Sequence, residues 1–329
     1  MGYWTRGITQ LKIFWIKISL PNKAYFYPVK TITPSYLKKG DHVIVIAPAG
    51  LVDRERIMNA SRVLESWGLT VDFGNHVFGQ NNGYSGTDEE RLLDLQEALD
   101  SAKASAIICA RGGYGLSRIS SKINLDTFLN QPKWVVGFSD ITVLHALINK
   151  EGVETIHGPV LNSLHLFPVG DSSPEYLRKL LFGETVTYKI PSQALNRIGK
   201  ARGLLVGGNF SMLYNMRGTP LDMNPEGKIL FIEDVGEYLY HLDRMMMNLK
   251  NGGVLERISG LICGGFTEMK DQQIPFGKTA VEIILEAVQD YSYPVAFSFP
   301  AGHQRPNYSL KMGGEIQLNV SEIETILTF

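Results

Sequence analysis

The residues best suited to chemistry lie in the run Lys133-Trp134-Val135-Val136-Gly137-Phe138-Ser139-Asp140-Ile141. An apolar strand pattern stops at a Gly-x-Ser turn, and helical spacing follows at once through Ile141, Leu144, Leu147 and Ile148. A serine at such a junction has its hydroxyl lifted clear of the sheet, with the unpaired N–H groups of the helix start beside it. The N–H of Asp140 would then be one oxyanion donor. The match to G-x-S-x-G is partial, because Ile141 stands at the last glycine position. The alternative is that Ser139 only caps the helix.

Three other segments end an apolar run in glycine or polar residues. Ala110-Arg111-Gly112-Gly113-Tyr114-Gly115 has paired glycines after a strand pattern, suited to an oxyanion hole, an anion nest or a plain tight turn. It is neither a dinucleotide fingerprint nor a phosphate loop. Ile232-Glu233-Asp234 places a carboxylate at a strand end, where it could orient an imidazole or simply be solvated. Gly302-His303-Gln304-Arg305 places a histidine in a Gly/Pro-rich loop. His157, in Ile156-His157-Gly158-Pro159, is the rival base, and His145 reads as packed on the apolar face of its helix. A serine hydroxyl needs an adjacent base, the base needs an orienting acid, and the developing oxyanion needs fixed donors. These segments could supply all of them. No H-E-x-x-H or C-x-x-C pair is present, which disfavours a zinc hydrolase, and nothing in the sequence calls for a cofactor.

The elements that must position these residues are an alternation of strands and helices from Gly40 onward. Strand patterns at 43–47, 69–73, 106–110, 134–137 and 153–156 alternate with helical spacing at 54–67, which stops at Gly68, and at 88–99, with Thr87 and Glu90 as a capping box. This predicts an α/β fold with a parallel sheet covered on both faces, whose ligands sit beyond the carboxyl ends of the strands. The rhythm breaks over residues 169–201, expected to be a linker that holds a short helix around 176–181 and an exposed strand at 185–190. The second half, 202–329, mixes strands at 201–207, 228–232, 258–263, 295–299 and 315–320 with helices at 238–249 and 279–287.

With 329 residues, 44% of them apolar, the chain can bury a sizeable core and is long enough for two domains. A net charge of −1 without a basic stripe argues against nucleic acid and anionic membranes as partners. Two cysteines, both in apolar strand-like runs, exclude a disulfide framework. The first 33 residues read as an extension of unknown role. Lysines interrupt the apolar run 11–18, which is too short and too charged to span a bilayer.

Taken in order, Ala47-Pro48-Ala49-Gly50, Arg111-Gly112-Gly113-Tyr114-Gly115, Gly137-Phe138-Ser139-Asp140, His157-Gly158-Pro159, Gly207-Gly208-Asn209-Phe210, Ile232-Glu233-Asp234 and Gly302-His303 resemble the LD-carboxypeptidases. These serine peptidases include muramoyl-tetrapeptide carboxypeptidase and the self-immunity peptidases against microcin C. The resemblance runs from about Pro34 to the C-terminus. It implies a flavodoxin-like N-terminal domain (34–168) joined to a smaller, β-rich α/β C-terminal domain (202–329). It also implies Ser139 as nucleophile, His303 as base and Glu233 as acid, with an oxyanion hole from the Asp140 N–H and Gly113. Arg111, Gly112, Tyr114, Asn209 and Arg305 are the candidate substrate contacts. The implied substrate is a murein tetrapeptide, cut before its terminal D-alanine by a cytoplasmic homodimer. The same chemistry on peptidyl or aminoacyl sulfamoyl-adenylates is one alternative, and a non-catalytic small-molecule-binding protein is another. One departure from the family pattern is Lys311, in Leu310-Lys311-Met312-Gly313, where a proline is expected.

Overall fold

A computed structural model describes the backbone of residues 10–20 and 23–329, and side chains from Thr31 onward. The strands β1 (Gln10–Leu20) and β2 (Lys23–Thr33) form an antiparallel hairpin from the extension. Its end docks on the body through the Ile32 N–H to the Gly152 carbonyl at 2.7 Å and the Glu154 N–H to the Ile32 carbonyl at 2.9 Å.

The N-terminal half supplies β3 (His42–Ile46), β4 (Thr70–Phe73), β5 (Ala104–Cys109), β6 (Trp134–Gly137) and β7 (Thr155–His157). They pair in the order β7-β6-β5-β3-β4, all parallel. Numbered within this sheet, the order is the flavodoxin-like 2-1-3-4-5, whose ligand crevice opens where the winding reverses, between β3 and β5. The helices between them follow local rules. Arg54–Ser66 starts at Asp53, whose carboxylate accepts from the Arg56 N–H at 2.8 Å, and stops at Gly68 with φ +86°. Asp88–Asp100 opens on the expected Thr87/Glu90 capping box.

The C-terminal half supplies β8 (Thr187–Pro191), β9 (Gly199–Asn209), β10 (Ile229–Val235), β11 (Gly260–Thr267) and β12 (Val295–Ala296), then β13 (Leu310–Met312), β14 (Glu315–Val320) and β15 (Glu324–Thr328). Seven of these make one sheet, β12-β11-β10-β9-β14-β15-β8, parallel from β12 to β9 and antiparallel beyond. Residues 169–201 hold the short helix and the strand expected there, and both pack against the body. The helix Ser173–Leu181 buries Leu177, Leu180 and Leu181, and β8 is an edge strand of the C-terminal sheet with Tyr188 fully buried. Spacing of i, i+3 and i+4 at 177, 180 and 181 gives that helix its apolar face.

One strand leaves its own half. β13 pairs antiparallel with β7 at the edge of the N-terminal sheet, Leu310 opposite His157 and Met312 opposite Thr155. The chain then returns as β14 to the C-terminal sheet. Apolar packing crosses the same seam: Ile46, Val135 and Leu144 share one cluster with Phe210, Leu230 and Met245, and Val45 and Trp134 share another with Phe231, Phe299 and Leu318. The two halves are therefore fixed against each other by a swapped strand and a shared core.

Candidate active site

Ser139 follows β6 with φ +67°, a left-handed backbone state that non-glycine residues rarely adopt. Persistence of such a state needs support from the surroundings, and it is the state a nucleophile elbow requires. The support is visible. Gly137 packs against Ile141, where a Cβ would meet the Ile141 side chain at 2.8 Å. The Gly137 carbonyl is bonded to His145 Nε2 at 2.9 Å. Residues 139–141 form a 3-10 turn that runs into the helix Thr142–Lys150. Ser139 has no capping bond to that helix, so the cap reading does not describe it.

The glycine turn after β5 closes directly on this serine. A Cβ on Gly112 would lie 2.7 Å from Ser139 Cβ and 3.1 Å from its Oγ. The Gly112 carbonyl accepts from the Gly50 N–H at 2.9 Å, which ties the turn to the segment after β3. Gly113 has φ +103°, and its N–H donates no hydrogen bond among the described residues. The Asp140 carboxylate accepts from the Leu116 N–H at 2.8 Å, clamping the far end of the glycine turn to the serine turn. Burial pushes the Asp140 carboxyl up to about 6, against the opposing effects of the Leu116 N–H and Arg91. The Asp140 side chain thus ties the two turns together, a contact the sequence did not suggest.

Because Gly112 needs no positive φ, Gly112→Ala probes space alone. We expect kcat to fall by about 10- to 100-fold with a loss of about 1–3 kcal/mol in stability, since neither Ser139 Cβ nor the Phe138 carbonyl can yield. Steady-state kinetics and urea denaturation read the two effects. An alanine variant with wild-type kcat would show that the turn does not form part of the site.

Glu233 lies at the end of β10, where the register against β11 shifts between Ile232 and Asp234. Both consecutive carboxylates are buried, Glu233 on the face it shares with Phe231 and Asp234 on the opposite one. Glu233 Oε2 accepts from the His303 N–H at 3.0 Å and meets His303 Nδ1 at 2.7 Å, while Oε1 has no partner among the described residues. Every hydrogen bond of this carboxylate therefore goes to His303. Asp234 instead takes the Asn209 amide at 2.9 Å and the Ser211 hydroxyl at 2.7 Å. Two glycines make room for this: a Cβ on Gly302 would collide with the Glu233 carboxylate, and one on Gly264 would lie 3.0 Å from Glu233 Cβ.

With Nδ1–H held by the carboxylate, His303 keeps Nε2 as an acceptor. Burial alone would lower its pKa, but the Glu233 hydrogen bond and the charges of Glu233, Asp234 and Glu268 together outweigh it, so the imidazole titrates above its ordinary value. Its ring lies 4.7 Å from that of Phe138, the residue before Ser139. The Ser139 hydroxyl makes no hydrogen bond among the described residues. Contacts of this type are commonly long in free enzymes and close on binding. The swapped strand explains how the base reaches this place: β6 neighbours β7, β7 neighbours β13, and the His303 loop leads into β13.

The rival histidines are occupied otherwise. His145 is packed as expected, and burial lowers it to about 4. His157 is fully buried, its ring edge-on to Phe231 at 5.0 Å, and burial drives its pKa well below the usual range. Of the candidate substrate contacts, Asn209 is committed to structure: its amide serves Asp234, its carbonyl oxygen caps the helix Phe210–Met216 through the Met212 N–H, and only 5% of it is exposed. The sequence could not show this, because Asp234 supplies the partner from another strand. Arg111 bonds the Leu51 carbonyl at 2.7 Å with one nitrogen and is otherwise exposed. Tyr114 is 53% exposed beside Tyr84, and Arg305 lies 5.9 Å over the Phe167 ring. Lys311 lies in β13, its ammonium 5.3 Å from the Phe329 ring centre. Phe138, Gly50 and Asp140 are site-forming residues that sequence motifs alone did not mark for these roles.

Residues 43–158 match the LD-carboxypeptidase N-terminal domain, and residues 202–318 match the LD-carboxypeptidase C-terminal domain. The chain belongs to the LD-carboxypeptidase family. Within the family it is 34% identical to a probable murein peptide carboxypeptidase of Bacillus subtilis, over 89% of this chain and 93% of that one. It is 30% identical to the murein tetrapeptide carboxypeptidase of Pseudomonas aeruginosa, over 82% and 91%. The crystal structure of muramoyltetrapeptide carboxypeptidase from Oxalobacter formigenes superposes with a TM-score of 0.80 at 28% identity, covering 87% of this chain and 98% of that one. The microcin C7 self-immunity protein MccF, solved in complex with aspartyl sulfamoyl adenosine, shares the fold, with a TM-score of 0.81 at 22% identity over 90% and 98%. As an LD-carboxypeptidase the chain is a peptidase, and its two matched domains meet at the seam where Ser139 and His303 lie. Among the described residues, no helix is long and apolar enough to cross a membrane.

Proposed function

We propose that this LD-carboxypeptidase hydrolyses the amide before the C-terminal D-alanine of a murein tetrapeptide, using Ser139, His303 and Glu233. The observation that carries the assignment is the pairing of a positive-φ serine with an imidazole whose ring lies tilted 4.7 Å from that of the neighbouring Phe138 and is held by a carboxylate that, among the described residues, bonds only to it. His303 takes the Ser139 proton as the oxygen attacks the scissile carbonyl. The tetrahedral oxyanion falls to the N–H groups of Asp140 and Gly113, donors fixed before the reaction begins. His303 then gives its proton to the leaving amine, D-alanine departs, and water resolves the acyl-enzyme by the same route. Arg111, free to meet the terminal carboxylate of the substrate, supports carboxypeptidase rather than endopeptidase action.

The sulfamoyl-adenylate alternative needs an aromatic platform for a nucleobase. Trp134 is fully buried and excluded, and Tyr114 and Tyr238 are 53% and 41% exposed. The test incubates the protein with murein tetrapeptide and, separately, with aspartyl sulfamoyl adenosine. The proposal expects stoichiometric D-alanine from the first and at least about tenfold lower kcat/KM on the second. Preferential cleavage of the adenosine conjugate would reassign the substrate, and turnover of neither would favour a binding protein. A cytoplasmic homodimer belongs to this reading through the family resemblance, and light scattering on the purified protein tests the dimer.

A further inference from the structure

A cavity of about 430 Å³ lies at the other end of the elements that carry the site. Ala146 and Lys150 line it from the helix Thr142–Lys150, whose opposite end joins the Ser139 turn. Val206 lines it from β9, and Leu213 and Met216 from the helix after β9. Lys228 lines it from the position just before β10, the strand that ends at Glu233. Ala146 and Lys150 lie roughly 6 and 12 Å along this helix from Thr142, so the cavity follows the half of the helix away from the serine turn.

Its charge is uneven. The Lys150 ammonium donates to the Pro220 carbonyl at 2.7 Å. The nearby Asp222 is taken by Arg217 at 2.6 Å and by the Gly218 N–H at 2.9 Å, and Glu151 is exposed at the rim. Lys228 has no hydrogen-bonded or charged partner among the described residues, and burial alone lowers its pKa. A partly buried ammonium without a partner, in a cavity of mixed apolar and polar lining, is costly unless an anion joins it. The volume is that of ordinary small-molecule pockets, which combine apolar walls with a few polar anchors.

We propose that this cavity is a second, small-molecule site for an amphipathic carboxylate, with its anionic head on Lys228 and its apolar body against Val206, Leu213 and Met216. The site is separate from the peptidase centre, and the proposal does not rest on the murein reading.

Calorimetric titration of the full chain with octanoate, and with octanamide as its uncharged counterpart, tests the proposal. Octanoate is expected to bind saturably at one site, and octanamide at least about tenfold more weakly. Lys228→Met should weaken octanoate at least about tenfold, Lys228→Arg should keep most of the affinity, and Ala146→Phe, which fills the void, should abolish binding of both. Lys228→Met removes a buried unpaired charge, so its melting temperature should not fall, and its peptidase activity without octanoate should equal wild type. Unsaturable octanoate binding, equal affinity in wild type and Lys228→Met, or equal affinity for octanamide would each overturn the proposal.

Discussion

Replacing Ser139 with alanine should lower kcat for D-alanine release by about 10⁴-fold or more, with KM changed little. Without the hydroxyl no acyl-enzyme can form, and only binding and the oxyanion donors remain to act on a water. The fold should survive, because alanine removes a hydroxyl that makes no hydrogen bond among the described residues and leaves the turn's supports at Gly137, Gly112 and Asp140 in place. Alanine also inherits the left-handed backbone strain, so its melting temperature should stay near wild type. Ser139→Gly, free of that strain, should be equally inactive and more stable by about 0.4–1 kcal/mol. Release of D-alanine followed by rapid quench, with thermal melts alongside, gives both readings.

Glu233→Gln should be nearly as damaging, for a different reason. The amide is isosteric, but Oε2 meets both the His303 backbone N–H and Nδ1, so one end of the amide must face both. With the carbonyl oxygen there, the charge that stabilises the imidazolium is lost; with the NH₂ there, the imidazole proton moves to Nε2, where the serine needs an acceptor, and the His303 N–H loses its partner. A loss of about 10³- to 10⁴-fold in kcat is expected, as for other triads whose acid is made an amide. The pH profile carries the sign. In the wild type the glutamate holds the His303 pKa above its ordinary value, and the base must be neutral to act. Wild-type kcat/KM should therefore rise with pH through an inflection above 6.5. Removing the carboxylate leaves burial as the main influence, which favours the neutral ring. The residual activity of Glu233→Gln should thus inflect at lower pH than wild type. An inflection unmoved by the substitution would assign the titration to another group.

What the sequence revealed and what it concealed divide along physical lines. Ser139, the Gly112–Gly113 turn, Glu233 and Gly302–His303 are marked by local rules: apolar runs that end abruptly, and glycines where a Cβ would collide. The same locality made the Thr87/Glu90 capping box and the helix stop at Gly68 readable. β13 left no such mark. Three residues carry no period, and their pairing with β7 joins positions about 150 residues apart in the chain. Yet that pairing brings the His303 loop to the end of β6. Alternation tells that Glu233 and Asp234 face opposite ways, but not which of the two meets the imidazole. The bond between Asn209 and Asp234 was not legible, because the carboxylate arrives from a neighbouring strand. The short helix and strand within residues 169–201 were legible, but not that Tyr188 of that strand would be fully buried in the C-terminal sheet.

The central claim, that one serine hydroxyl is made reactive at the seam of the two halves, is tested most directly by covalent labelling. The protein is treated with a fluorophosphonate, and the adduct is located by peptide mass mapping, with and without murein tetrapeptide. The account predicts one phosphonyl group per chain on Ser139, protection by the tetrapeptide, and loss of labelling in His303→Ala. A stoichiometric adduct on a different serine, or full peptidase turnover by a chain already labelled at Ser139, would contradict it.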